Sequence, residues 1–353
     1  MSALLKPLPT EDLDHVLAHT RGLWAEARGQ SFFITGGTGF FGLWLLESFA
    51  RANDTLSLGM RAVVLSRDPV AFAQKVPHLA ARADLEFLQG DVRTFAFLAG
   101  RFTHLIHAAA DTGVWTKNET ADGMLDRLAA GTRHLLDFAA AAGAKSFLHI
   151  SSGAVYGPQP AGLTHVAEDY SGIADPLPPG SAWAEGKRVA EQLCTAHASQ
   201  HGYALKIARC FAFVGPHLDE NYAIGNFIRD ALRGGPIQVA GDGTPRRSYL
   251  YAADLVIWLW TMLFAGPPGR AYNVGSPDDL SIAELARAVS TAAGGQLPVH
   301  IAENPKHDRP LSRYVPAVDR AGLELGLHVW IPLAEGIRKT IAWQRSPKAV
   351  LAR

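Results

Sequence analysis

The run Ser31-Phe32-Phe33-Ile34-Thr35-Gly36-Gly37-Thr38-Gly39-Phe40-Phe41-Gly42 is an apolar segment followed by a glycine-rich turn. Phe41, Leu45, Leu46 and Phe49 then recur at helical spacing. The succession predicts a strand, a tight loop and a helix. The spacing G-x-x-G-x-x-G gives each glycine a task. Gly36 allows the sharp turn, Gly39 lets a pyrophosphate approach the backbone, and Gly42 lets the helix pack closely on the strand. Glycine turns also serve as plain connectors. Here a strand before the turn and a helix after it favour a phosphate site facing the helix N-terminus.

Strand and helix patterns keep alternating after this unit. Residues 61–65, 85–88, 104–110, 147–150 and 205–209 read as strands, with long helices over 122–142 and 181–200. The alternation predicts an α/β fold, a doubly wound parallel sheet with helices on both faces and ligands beyond the carboxyl ends of its strands. Past residue 215, Gly, Pro and Asn punctuate shorter elements, with helices near 224–232, 254–264, 281–293 and 333–343 and no second glycine fingerprint. This part is read as a smaller substrate domain interleaved with the first. The expected division is an N-terminal helical extension at 1–29, a dinucleotide domain at 30–215 and a substrate domain at 216–353. Thr10-Glu11-Asp12-Leu13 is read as the cap of a helix carrying Leu13, Val16, Leu17, Leu23 and Trp24 on one side.

Composition narrows the partners. Lys+Arg and Asp+Glu are both 33, so no whole-chain field attracts nucleic acid or an anionic membrane, and any anion site must be local. The apolar run at 255–264 is too short to cross a bilayer. Residues 1–10 hold one lysine and two prolines and lack the apolar core of a secretory signal, so a cytoplasmic protein is expected. Cys194 and Cys210, the only cysteines, are read as buried, inert thiols. The fourteen histidines have no metal-ligand spacing, and no metal is expected.

The second strand ends in Ser66-Arg67-Asp68. An acidic residue there accepts from the ribose of NAD, whereas an arginine accommodates the 2′-phosphate of NADP, so Arg67 favours NADP over NAD. In the alternative, Arg67 only flanks the loop and Asp68 caps the helix starting at Pro69.

Ser151-Ser152-Gly153-Ala154-Val155-Tyr156-Gly157 follows the fifth strand. With Gly90-Asp91, Gly131-Thr132, Gly215-Pro216, Gly241-Asp242-Gly243 and Tyr272-Asn273-Val274-Gly275, it makes the chain resemble the extended short-chain dehydrogenase/reductases. These are the NAD-dependent epimerases and dehydratases of nucleotide sugars, with the Rossmann fold. The resemblance covers nearly the whole chain after residue 30. It implies cofactor contacts at Gly36, Thr38, Gly39, Phe40, Phe41, Gly42, Ser66 and Arg67, and at Asp91, Val92, Ala108, Ala109, Ala110 and Lys187.

The family's chemistry uses a Ser or Thr with a Tyr-x-x-x-Lys pair. The phenolate moves a proton, the hydroxyl residue holds the reacting oxygen, and the lysine holds the nicotinamide ribose and lowers the tyrosine pKa. Ser152 and Lys187 match, but the tyrosine position is Trp183, whose indole offers one donor and exchanges no proton near neutrality. Tyr156 and Lys117 are substitute bases by expected proximity alone. The acidic pair of the family's dehydratases is replaced by Gly153 and Ala154, which directs the reading to epimerases and keto-sugar reductases. Two common asparagines are Leu128 and Ala212.

Arg247 matches a phosphate-pairing arginine, with Asn226 and Arg309 as further substrate contacts; a helix-end cap and a surface charge are the alternatives for the last two. The resemblance implies a nucleoside-diphosphate sugar as substrate and a homodimer through the helices after the fourth and fifth strands. Two other readings stay open: a non-catalytic dinucleotide-binding protein, and a reductase of a non-sugar carbonyl.

Overall fold

The computed structural model describes residues 4–109, 120–172, 178, 181–304 and 311–347. Helix α1 (Thr10–Thr20) and a 3-10 helix (Arg21–Ala27) lead into β1 (Ser31–Thr35), α2 (Phe40–Leu56), β2 (Arg61–Ser66), α3 (Pro69–Lys75), α4 (Pro77–Ala80), β3 (Leu85–Gln89) and β4 (His104–His107). Next come α5 (Ala121–Ala141), β5 (Ser146–Ser152), a 3-10 turn (Gly153–Tyr156), α6 (Ala182–His201) and β6 (Ala204–Cys210). The remaining strands are β7 (Phe213–Val214), β8 (Ile237–Val239), β9 (Arg246–Ser248), β10 (Leu250–Tyr251), β11 (Arg270–Val274), β12 (Asp279–Ser281), β13 (Val299–Ile301) and β14 (Arg313–Tyr314). Between and after them run α7 (Ala223–Leu232), α8 (Ala252–Ala265), α9 (Ile282–Ala292), α10 (Asp319–Leu325) and α11 (Leu333–Arg345).

Seven parallel strands form the main sheet in the order β11-β6-β5-β4-β1-β2-β3. The order reverses between β1 and β4, so the connections after these strands run to opposite sides and a crevice opens beyond their carboxyl ends. Both faces are covered, as alternation along β1 illustrates. Phe32 and Ile34 enter a core layer with Trp24, Trp44, Phe49 and Trp260, while Phe33 enters the other with Phe95, Phe102, Phe138 and Phe147. β11, from beyond residue 215, pairs with β6, so the second half of the chain completes the sheet of the first.

The run at 255–264 lies in α8, buried along its length against α1, α2, β5 and β6. Among the described residues no helix is long and apolar enough to cross a membrane. Asp12 does not cap α1, whose N-cap is Pro9 without a side-chain bond. Its carboxylate turns inward, accepting from Tyr251 Oη at 2.6 Å and pairing with Lys339 Nζ at 2.9 Å. A buried carboxylate needs such partners, and these tie α1 to the start of α8 and to α11.

Candidate active site

The turn after β1 is built by contact with other backbone. Gly36 has φ +72°, and a Cβ there would lie 2.3 Å from the Ala108 carbonyl oxygen beyond β4. A Cβ on Gly42 would meet the Gly37 carbonyl carbon at 2.2 Å, so Gly42 admits the loop rather than the strand expected from sequence. Gly39 differs: it is exposed, and its nearest neighbour to a Cβ would be Gly36 O at 3.7 Å. That space lies before the first turn of α2, which has no side-chain cap and no acidic residue. Its amides therefore point into an opening suited to an anion.

Below the opening, Thr35 Oγ1 accepts from the Ala109 amide at 3.2 Å and is hydrogen-bonded to His107 Nδ1 at 2.8 Å. His107 Nε2 is hydrogen-bonded to Thr132 Oγ1 at 3.1 Å, locking the ends of β1 and β4 to α5. Burial lowers this imidazole to about 3, so it stays neutral. At the end of β2, Ser66 Oγ accepts from the Asp68 amide and Asp68 Oδ1 accepts from Ala71 N at 2.8 Å, capping α3. Arg67 is exposed and its charge acts on Asp91; hydrogen bonds from Arg93, the larger cause, and this charge hold that carboxyl down to about 2. Val92 lies against Gly131 of α5, where a Cβ would meet Val92 Cγ1 at 2.7 Å. Thr38, Phe40 and Phe41 lie on the loop and the first turn of α2, and Ala108 and Ala109 follow β4. Ala110, Lys117 and Arg309 lie outside the described residues.

Ser152 ends β5, where its Oγ accepts from the Ala154 amide at 3.1 Å and lies 3.3 Å from the hydroxyl of Tyr314. Lys187 on α6 is 3% exposed and donates to the Ile150 carbonyl at 2.8 Å. Burial lowers its ammonium to about 8. Its Nζ stands 5.2 Å from the centroid of the Trp183 ring, a cation–π contact. Trp183 packs against the apolar cluster of Met124, Leu128 and Ala182. Two positions expected to be polar are thus filled by an apolar pair.

Tyr156 is not placed for proton transfer to a ligand. It is 4% exposed, donates to Asn273 Oδ1 at 2.7 Å and accepts from Arg209 Nη1 at 2.9 Å. Burial pushes its phenol up to about 12. Arg209 in turn pairs with Glu191 at 2.7 Å, and Glu191 accepts from Ser151 at 2.5 Å. These groups form a closed network in the wall behind Ser152.

Arg247 on β9 donates to the carbonyls of Arg246 and Ser312 and to Ser312 Oγ, and among the described residues no carboxylate pairs with it. Burial lowers its pKa from the ordinary value. Neighbouring Arg246 and Arg313 both pair with Asp279 at 2.5 Å. Asn226 on α7 lines a cavity of about 610 Å³ with Asp242, from the Gly241-Asp242-Gly243 motif, and with Gln238, Ala240 and Glu303, which the sequence had not marked. Tyr314 had also gone unmarked.

The model of the NAD dependent epimerase/dehydratase family matches residues 32–275. The chain belongs to this family. Among curated members, the dTDP-glucose 4,6-dehydratase of Streptomyces niveus is 29% identical over 325 residues, covering 90% of this chain and 93% of the relative. The UDP-glucuronic acid decarboxylase 1 of Xenopus tropicalis is 28% identical, covering 91% of this chain and 73% of the relative. The solved UDP-glucuronic acid 4-epimerase of Bacillus cereus, in complex with UDP-glucuronic acid and NAD, superimposes with TM-score 0.74 at 19% identity, covering 89% of this chain and 98% of that one. This last likeness establishes the fold.

Proposed function

We propose that this protein binds NAD(P) and a nucleoside-diphosphate sugar and acts in the epimerase and keto-sugar reductase branch of its family. The observation that carries the reading is the placement of Ser152 and Lys187 on adjoining elements near the crevice at which the uncapped α2 points. The open face of Gly39 fits a pyrophosphate, and the β1–β4 crevice fits the two halves of a dinucleotide. Bound there, a nicotinamide supplies or takes up hydride at a sugar carbon. Ser152 Oγ orients the reacting oxygen. Lys187 Nζ spends one proton on the Ile150 carbonyl and keeps two for ribose hydroxyls. Gly153 and Ala154 supply no acid or base, which disfavours elimination of water.

Asp68 is engaged in capping α3, leaving Arg67 as the residue for an adenosine 2′-phosphate, so NADP is the preferred cofactor. Arg67→Ala is expected to weaken NADP⁺ about tenfold, the scale of one charge-assisted contact, and NAD⁺ less than about twofold. Equal losses in fluorescence titrations remove the contact.

The diphosphate of the sugar nucleotide suits the Arg247 guanidinium, with Asn226 and its cavity on the nucleoside side and Arg309 as a further contact. Arg247→Ala should weaken UDP-glucuronic acid by about 10- to 100-fold in calorimetry while NAD(P)H affinity is unchanged. We assign α5 and α6 to the homodimer contact.

The reading is tested with NAD⁺ or NADP⁺ and a panel of UDP-glucose, UDP-glucuronic acid and dTDP-glucose, followed by NMR of the sugars. Conversion of one supports it, and failure to bind either cofactor overturns it. A second reading rests on Trp183: a binding protein that transfers no hydride. It is favoured if the wild type is inert and Trp183→Tyr gains turnover.

A further inference from the structure

Trp183 leaves the reaction centre without a phenol from α6, but a second phenol reaches it from the far end of the chain. Tyr314 comes from 162 residues beyond Ser152, and its hydroxyl lies 3.3 Å from Ser152 Oγ. Among the described residues no other titratable side chain is hydrogen-bonded to Ser152.

The ring is held on several sides. β14 pairs in parallel with β9, placing Tyr314 opposite Arg247. The tyrosine ring lies on Phe211, with centroids 4.6 Å apart and planes 36° from parallel. Phe211 occupies the space that a side chain at 153 would take, since a Cβ on Gly153 would lie 2.6 Å from its ring. The loss of the acidic pair and the arrival of a phenol over Ser152 therefore belong to one packing solution. The hydroxyl donates to the Cys210 carbonyl at 3.3 Å. The groups around it are Ser152 from β5, the Ala154 amide from the following turn, Cys210 from β6 and Arg247 from β9.

We propose that Tyr314 delivers, through Ser152 Oγ, the proton that Trp183 cannot supply. The proposal rests on the keto-sugar reading above. In the reducing direction, hydride from a reduced nicotinamide adds to the carbonyl carbon of a nucleotide keto-sugar, and the C=O π pair moves onto the oxygen. That oxygen takes the Ser152 proton; the Tyr314 hydroxyl turns its single proton from the Cys210 carbonyl to Ser152 Oγ, 3.3 Å away, and reprotonates the serine; water then returns a proton to the phenolate beside Arg247 and leaves as hydroxide. Burial raises this phenol above its ordinary value, so it enters as a neutral acid. A sugar alkoxide is basic enough to take its proton.

The test pairs kinetics with a measurement on the ligand-free protein. Tyr314→Phe should slow keto-sugar reduction about a hundredfold or more, with NADH and UDP affinities within about threefold of wild type. Adding it to Ser152→Ala should cost little more, because the two act in one path. Trp183→Tyr should restore about tenfold or more to Tyr314→Phe. A Tyr314→Phe enzyme within about threefold of wild type, or losses that multiply in full, overturns the path.

Independently, a trifluorotyrosine at 314 is titrated by fluorine NMR in the full chain without ligand. Its midpoint should rise in Ser152→Ala, since the serine bond favours the phenolate. A midpoint indifferent to that change overturns the path whether or not any sugar turns over. A responsive midpoint in a protein that binds neither cofactor supports the path and instead removes the keto-sugar reading on which its substrate rests.

Discussion

Replacing Gly36 with valine is expected to abolish binding of both nicotinamide dinucleotides and to lower the unfolding free energy by about 3 kcal/mol or more. The left-handed backbone costs a β-branched residue about 1–2 kcal/mol, and the new Cβ would lie 2.3 Å from the Ala108 carbonyl oxygen, against backbone that cannot yield. Overpacking of this kind adds about 1–3 kcal/mol. Gly39→Ala separates fold from ligand. Its φ is −91° and its Cβ would meet nothing nearer than 3.7 Å, so stability should stay within about 0.5 kcal/mol of wild type. The added methyl would stand where a pyrophosphate has to approach, and affinity for NAD(H) and NADP(H) should fall about 10- to 100-fold. Chemical denaturation and fluorescence titration read the two effects. Unchanged dinucleotide affinity in Gly39→Ala would show that the cradle holds something else.

The second large effect is at Lys187. On the proposed reading, in which the ammonium holds the ribose and supplies positive charge beside the reacting oxygen, Lys187→Met should reduce turnover by about 10²- to 10⁴-fold and weaken the cofactor. The same substitution leaves a signature in stability that needs no substrate. The folded pKa of about 8 lies below the ordinary value of 10.5, so between these limits the unfolded chain binds more protons than the native one. Stability therefore rises with pH across that window, by about 3 kcal/mol in total, and the penalty of charging the buried amine is fully present below about pH 8. Lys206, bonded to Ser146 and the Leu263 carbonyl and also lowered to about 8, adds a similar rise that the variant retains. The difference between the wild-type and Lys187→Met curves thus reports Lys187 alone. Parallel curves would refute its depressed pKa.

The sheet was legible because its strands are short, apolar and separated by helical periods, and because buried parallel strands leave little latitude in where they start. The glycine loop was legible for the same local reason, although sequence put Gly42 against the strand where it meets Gly37. Side chains whose role depends on distant partners were harder to read. The run Thr10-Glu11-Asp12-Leu13 read as a helix cap, but Tyr251 and Lys339 draw the Asp12 carboxylate into the core. Tyr156, close to Ser152 in sequence, is bound into the wall by Arg209 and Asn273. Tyr314 carried no periodic or motif signal; only the pairing of β14 with β9 brings it over Ser152. Proximity along the chain pointed to Tyr156, whereas the phenol bonded to Ser152 comes from two- and three-residue strands that are positioned by each other and not by their own patterns.

The absent side chain at Gly153 has a consequence for which substitutions the chain can accept. A carboxylate could stand at that position only if Phe211 shrank in the same step, and a smaller residue at 211 would remove the shelf beneath Tyr314. Positions 153, 211 and 314 are therefore coupled: a side chain can enter at one only together with a change at another, so substitutions among them should be strongly non-additive.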